Sequence, residues 1–161
     1  MAGSQPTLAG FQEFIQNVMA VSATDLPPNA PVIAWALAFA IQIVNPQLRV
    51  VGGCGPPQAG LPQVSVYVAA VYNLAGDLVV NFAQDQQGRK FFDRKRKELN
   101  INGFVSGVVG AASDESTSTT MVVQEAAKNF TLQDLQSLKT PWGRMYLSLA
   151  QAYGPSIWGL T

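Results

Sequence analysis

Residues 64–82 read VSVYVAAVYNLAGDLVVNF, and this stretch decides the architecture. Val64, Val68, Val71, Ala75, Leu78 and Phe82 recur in steps of three and four, which draws one apolar stripe down an α-helix. Tyr67, Leu74 and Val79 widen the stripe until most of the cylinder is apolar. Asn73, Asp77 and Asn81, spaced by fours, form a narrow polar edge. A helix apolar around so much of its circumference needs neighbours on nearly every side, so the pattern predicts a mainly α, small helical bundle around a central helix at about 64–84. Asp77 would be costly in hydrocarbon. The longest apolar run, Val32 to Val44, includes Gln42 and is shorter than the roughly 20 residues that cross a bilayer. No membrane partner is expected.

A chain of 161 residues fits one domain with a real core. Ten basic and ten acidic residues cancel, so no global field draws the chain to nucleic acid or membrane. Only 12% of residues are charged, about half of the roughly 25% usual in soluble domains. With 48% hydrophobic residues, too few ionic side chains remain to clothe an isolated bundle, and other protein is expected to cover part of it. The chain has no histidine, which removes the commonest general base and metal ligand. Its one cysteine, Cys54, lies in a Gly/Pro-rich turn and reads as an inert thiol. No carboxylate pair or nucleophile motif stands out, so neither enzyme activity, cofactor nor metal is expected. No signal peptide is recognisable at the N-terminus.

Thr7 is a candidate N-cap for a helix to Met19 with a stripe of Leu8, Phe11, Phe14 or Ile15, and Val18. Pro27-Pro28 interrupts, and Asn29 to Val44 restarts as a helix with Asn29 as cap and Pro31 in the first turn. Trp35, Phe39 and Ile43 share one line of it; Val32, Ala36, Ala40 and Val44 share another. Leu48 to Val51 reads as a short strand or extended segment. Gly52 to Pro62 is a Gly/Pro-rich loop without the Gly-Lys-Ser/Thr of a phosphate loop. After a kink or break at Asp85 to Gly88, six of the ten basic residues cluster at Arg89, Lys90, Arg94, Lys95, Arg96 and Lys97. Two readings stand for this cluster. It is either a solvated helix face anchored by Phe91 and Phe92, or a basic surface for an acidic partner or passing DNA.

Phe104 to Val109 and Thr119 to Val123 are β-prone runs on either side of a small polar linker, Ala111 to Ser118. They predict a long hairpin arm at about 101–130, with a disordered loop as the alternative. Because a lone two-stranded ribbon is marginal in water, the arm's Val108, Val109, Met121 and Val122 are candidate partner contacts. Thr131 to Ser137 reads as a short helix with Leu132, Leu135 and Leu138 on its buried side. Thr140 caps a second helix with Pro141 at its first position and a stripe of Trp142, Met145, Leu149 and Ala152, flanked by Tyr146 and Tyr153. Gly154-Pro155 ends it. The apolar Ile157, Trp158 and Leu160 that follow either fold back or insert into a partner.

The segment Leu135 to Tyr153 (LQSLKTPWGRMYLSLAQAY) resembles the close of the head-to-tail adaptor proteins of tailed bacteriophages, which carry the form Thr-Pro-aromatic-Gly-Arg-x-Tyr-Leu-x-Leu. Thr140, Pro141, Trp142, Gly143, Arg144, Tyr146, Leu147 and Leu149 match it. The alanine-rich helix from Val64 is similar to that family's central helix, and the β-prone insertion has its arrangement. The resemblance implies a virion protein made in the host cytoplasm that forms a homo-oligomeric ring, expected to be dodecameric, at the head-tail interface. It implies docking between the portal and the tail or nozzle proteins, with genomic DNA passing through without sequence-specific binding. Other virion components, such as tail-completion, neck, minor capsid or decoration proteins, share the same composition and form the alternative. A holin-like membrane protein is disfavoured by prolines, caps and short apolar runs.

Overall fold

Thr7 turns the chain into its first helix: its Oγ1 accepts the Gly10 N–H at 3.1 Å, opening α1 (Leu8–Asn17). The computed structural model describes residues 5–51, 65–103, 111–114, 117–120 and 136–153. Phe11 and Ile15 of α1 are buried, whereas Leu8 and Val18, which the stripe would also bury, are exposed. Met19 and Val21 take their place in the core beyond the helix. The connector through the prolines is tied down by Gln12, whose Nε2 donates to the Pro28 carbonyl at 2.7 Å.

The second helix, α2 (Pro31–Ile43), starts on Pro31 with Ala30 at the cap position and no side-chain capping bond, so Asn29 is not its cap. The alanine line is the buried one: Ala36 and Ala40 lie in the core beside Ile33 and Leu37. Small side chains let α2 lie close to its neighbour, and the bulky Trp35, Phe39 and Ile43 remain on the outside. Residues 48–51 are not extended. The Asn45-Pro46 turn, with Leu48 N–H on the Asn45 carbonyl at 3.1 Å, leads into a single helical turn, α3 (Leu48–Val51).

Ser65 accepts the Val68 N–H at 3.2 Å and opens α4 (Val66–Phe82), of whose 17 residues 11 are buried. This is the central helix that the apolar stripe predicts. It packs most extensively against α2 and against a last helix, described below. Asn73 and Asn81 satisfy their amides on their own helix, donating to the carbonyls of Ala69 and Asp77 at 2.8 Å each. Tyr72 reaches α1, where its hydroxyl accepts from Thr7 N–H at 3.0 Å and its ring packs on Phe11 and Phe14. A Cβ at Gly10 would stand 2.5 Å from that hydroxyl, so a larger residue there would push the Tyr72 hydroxyl aside.

The chain breaks after Phe82, turns through Gly88 at φ +78°, and forms α5 (Phe91–Glu98). Asp85 caps it from upstream, accepting the N–H groups of Phe92 and Asp93 at 2.7 and 3.0 Å. Phe92 is fully buried and Phe91 packs against the core. A short antiparallel ribbon follows, β1 (Ala111–Asp114) with β2 (Thr117–Thr120), Ala111 opposite Thr120 and Asp114 opposite Thr117. The expected long arm is not supported. The pairing lies mostly within the stretch read as a linker, where β-branched threonines favour extended backbone, and 104–110 and 121–135 fall outside the described residues. The last helix, α6 (Pro141–Tyr153), is preceded by a turn around Ser137 and Thr140.

Among the described residues the fold is thus a mainly helical bundle wrapped on α4. Trp35 meets Phe82 at one end and Tyr67 points its hydroxyl to the Ile41 carbonyl at the other, so α2 runs antiparallel to α4. Thr140 bonds to Asp77, while α6 also touches α3, which lies beside Tyr67 through Arg49. It follows that α6 is antiparallel to α4 as well. No helix among the described residues is long and apolar enough to cross a membrane.

Candidate functional site

Asp77 sits where the sequence places a polar edge, yet it is only 3% exposed. Thr140 Oγ1 donates to its Oδ1 at 2.5 Å and Ser137 Oγ to its Oδ2 at 3.3 Å. Thr140 Oγ1 in turn accepts the Gly143 N–H at 2.8 Å, so one hydroxyl both caps α6 and clamps it to α4. A Cβ at Gly143 would come within 2.1 Å of the Ser137 carbonyl oxygen, and the helix can approach that turn only with glycine there. Burial pushes the Asp77 carboxyl up to about 6, held back by the bonds from Thr140, Ser137 and Asn81. With a hydroxyl bonded to each oxygen and almost all of its surface covered, this aspartate ties the last helix to the central one. The signal for its role was present in the sequence: a helix buried on nearly every side leaves a mid-helix carboxylate facing a neighbour.

The motif residues thereby acquire separate tasks. Thr140 and Gly143 are buried, Pro141 is at the exposed helix start, and Trp142 and Tyr146 pack partly against the core. Arg144 is exposed, with its guanidinium 3.4 Å from the Leu138 carbonyl. The buried side of α6 is Gly143 and Leu147. Met145, expected in the stripe, is 52% exposed, because the Gly143 approach rotates the helix away from that arrangement.

Above Asp77 opens a groove of about 970 Å³. Its floor is Leu78, Asn81 and Phe82 with Asp77 beneath; one wall is Pro31, Val32, Trp35 and Phe39 of α2, the other Ile101, Asn102, Gln136 and Ser137. Trp35 and Phe39 stack at 5.4 Å with an interplanar angle of 13°, and Phe82 meets Trp35 edge-on at 5.5 Å. These three residues are 46%, 41% and 56% exposed. At 150–250 Å² per aromatic side chain they leave roughly 300 Å² of ring surface in water, the size of a functional patch.

The basic cluster divides. Arg96 turns inward, its Nε donating to the Val80 carbonyl at 2.9 Å and an Nη to that of Ala83, so it satisfies the open end of α4. Arg89 pairs with Asp25 at 2.9 Å. Lys95 and Lys97 make pairs along α5 with Glu98 and Asp93. Lys90 and Arg94 are exposed and form no ion pair among the described residues. Val108, Val109, Met121, Val122, Ile157, Trp158 and Leu160, and the Gly52–Pro62 loop with Cys54, lie outside the described residues. Among the described residues no three potential metal ligands come together.

No protein-family model matches this chain, and neither a curated protein nor a solved structure is significantly similar to it.

Proposed function

We propose that the chain is a structural virion protein, a ring-forming head-to-tail adaptor between the portal and the tail of a tailed bacteriophage, with DNA passing through the ring. The observation that carries the reading is the exposed aromatic face of Trp35, Phe39 and Phe82 on a bundle with too few charges to offset it. Such a face gains stability when protein covers it. A second, unlike apolar surface lies on α6 at Met145 and Tyr153. Subunits joined through two unlike surfaces associate head to tail, and a rotation that closes gives a ring.

The Thr140 to Tyr146 turn, which carries the resemblance to the adaptor family, supports the same reading from a different side. Its threonine clamps the last helix to Asp77 of the central one, and its glycine lets that helix approach the Ser137 carbonyl, which fixes the shape of the subunit. In this reading the chain performs no catalysis and needs no cofactor, and the exposed cations of α5 face an acidic portal or tail surface.

The test is to mix the purified chain with portal rings of a tailed phage and examine the product by electron microscopy and native mass spectrometry. A dodecameric ring seated on the portal is expected. Failure to bind, or in virions a distribution over the shell instead of at one vertex, would replace the adaptor with a decoration or minor capsid protein.

A further inference from the structure

The groove over Asp77 is open, and its chemistry narrows what could fill it. One side carries the exposed rings of Trp35, Phe39 and Phe82, the other the uncharged Ile101, Asn102 and Gln136, and the one carboxylate beneath has both oxygens bonded to Thr140 and Ser137, so a charged ligand finds no free counter-ion there. At about 970 Å³ it lies at the upper end of the roughly 300–1,000 Å³ of small-molecule pockets, room for several side chains of a peptide. The chain itself contains such a peptide. After Arg144 it has no acidic or basic residue, and the segment beyond α6 reads GPSIWGLT.

We propose that this segment, residues 154–161, from one copy lies in the aromatic groove of a neighbouring copy, with Trp158 against Trp35 and Phe82. The proposal rests on the reading of the chain as a self-assembling subunit and names the contact that joins one copy to the next.

Reach decides between the chain's own groove and a neighbour's. From Thr140 at Asp77, α6 runs antiparallel to α4, so its end at Tyr153 lies about 18 Å back along the bundle at 1.5 Å per residue. Phe82 is five residues beyond Asp77 in the opposite direction, roughly 7 Å further. Trp158 follows Tyr153 by five residues, at most about 18 Å of fully extended backbone. Its own backbone therefore stops short of the Trp35–Phe82 corner, even if it reversed at once and ran straight. A neighbour's segment carries no such restriction, and donation from α6 into the next groove is the heterologous contact a ring requires.

The experiment uses the full chain carrying Trp158→Glu, so that its own segment cannot compete, titrated with the synthetic peptide GPSIWGLT by calorimetry and by NMR chemical shifts. Saturable binding is expected, with shifts at Trp35, Phe39 and Phe82. Affinity should fall at least tenfold when the receptor also carries Trp35→Glu or Phe82→Glu, or when the peptide's own tryptophan is replaced by glutamate. Both groove positions are well exposed, and circular dichroism verifies that each variant is folded. A peptide that fails to bind the folded Trp158→Glu chain, because another segment or a folded surface fills the groove, would overturn the proposal. So would binding that both groove variants leave unchanged. A chain that forms rings on a portal yet does not bind the peptide loses this contact and keeps the adaptor reading; peptide binding without rings does the reverse.

Discussion

Asp77 carries a carboxylate to a position only 3% exposed, and its proton equilibrium records what that costs. Burial raises its pKa from 3.8 to about 6, opposed by the hydroxyls of Thr140 and Ser137. Because the folded value lies above the unfolded one, the folded state holds the proton more tightly at every pH between them. Stability contributed by this group is therefore full below about 3.8, falls as pH rises through the window, and is lost above about 6. At about 1.4 kcal/mol for each pH unit between the two values, the whole swing is on the order of 3 kcal/mol. Urea unfolding of the wild type and of Asp77→Asn separates this from the other carboxylates, which both proteins share. Relative to the variant, the wild type should gain stability between pH 7.5 and 5. A difference that stays flat with pH would remove desolvation as the cause.

Element by element, what the sequence revealed was local and what it concealed was long-range. Thr7 and Thr140 announce their helices because a cap is made with an N–H group three residues away. Pro31 and Pro141 mark helix starts for the same reason. The rotation of α6 is different: it is set by contact between Gly143 and the Ser137 carbonyl, across a turn whose shape no periodicity encodes, and the stripe accordingly puts Met145 on the wrong side. The candidate groove followed suit. Trp35 and Phe39 were legible as one line of α2, but their exposure depends on the alanine line packing against α4, a partnership between distant segments. The basic run of α5 shows the limit most directly, since Arg96 and Arg94 look equivalent in sequence. Arg96 satisfies the Val80 and Ala83 carbonyls at the end of α4, whereas Arg94 is exposed. Arg96→Met should lower stability by about 1–3 kcal/mol, the usual cost of leaving part-buried acceptors unpaired. Arg94→Met should stay within about 0.5 kcal/mol. Denaturant midpoints of the two variants decide it, and equal losses would mean that Arg96 is as dispensable as its neighbour.

Taken as a whole, the molecule separates its charge from its apolar surface. The stretch from Leu26 to Leu48 and the chain after Arg144 contain no acidic or basic side chain, and they supply the groove wall and the exposed face of α6. Cations cluster at α5, where Lys90 at its cap and Arg94 lack ion-pair partners among the described residues and Lys97 has only an exposed pair with Asp93, of a kind worth little. Two surfaces of such different chemistry respond differently to salt. Apolar contacts persist at high ionic strength, whereas exposed charges beyond about 10 Å are screened already at 0.1 M. If α5 faces an acidic portal or tail surface, the double reversal Lys90→Glu, Arg94→Glu should leave the unfolding temperature within a few degrees of wild type, since neither side chain supports the fold. It should nevertheless abolish the joining of heads to tails in an assembly assay, and raising the salt should weaken the wild type towards the same loss. Reversal of charge turns attraction into repulsion at the same positions, so a partial deficit would be too small an effect for the proposed contact. Particles that join normally with a folded double variant would assign α5 to solvent and leave assembly to the aromatic groove alone.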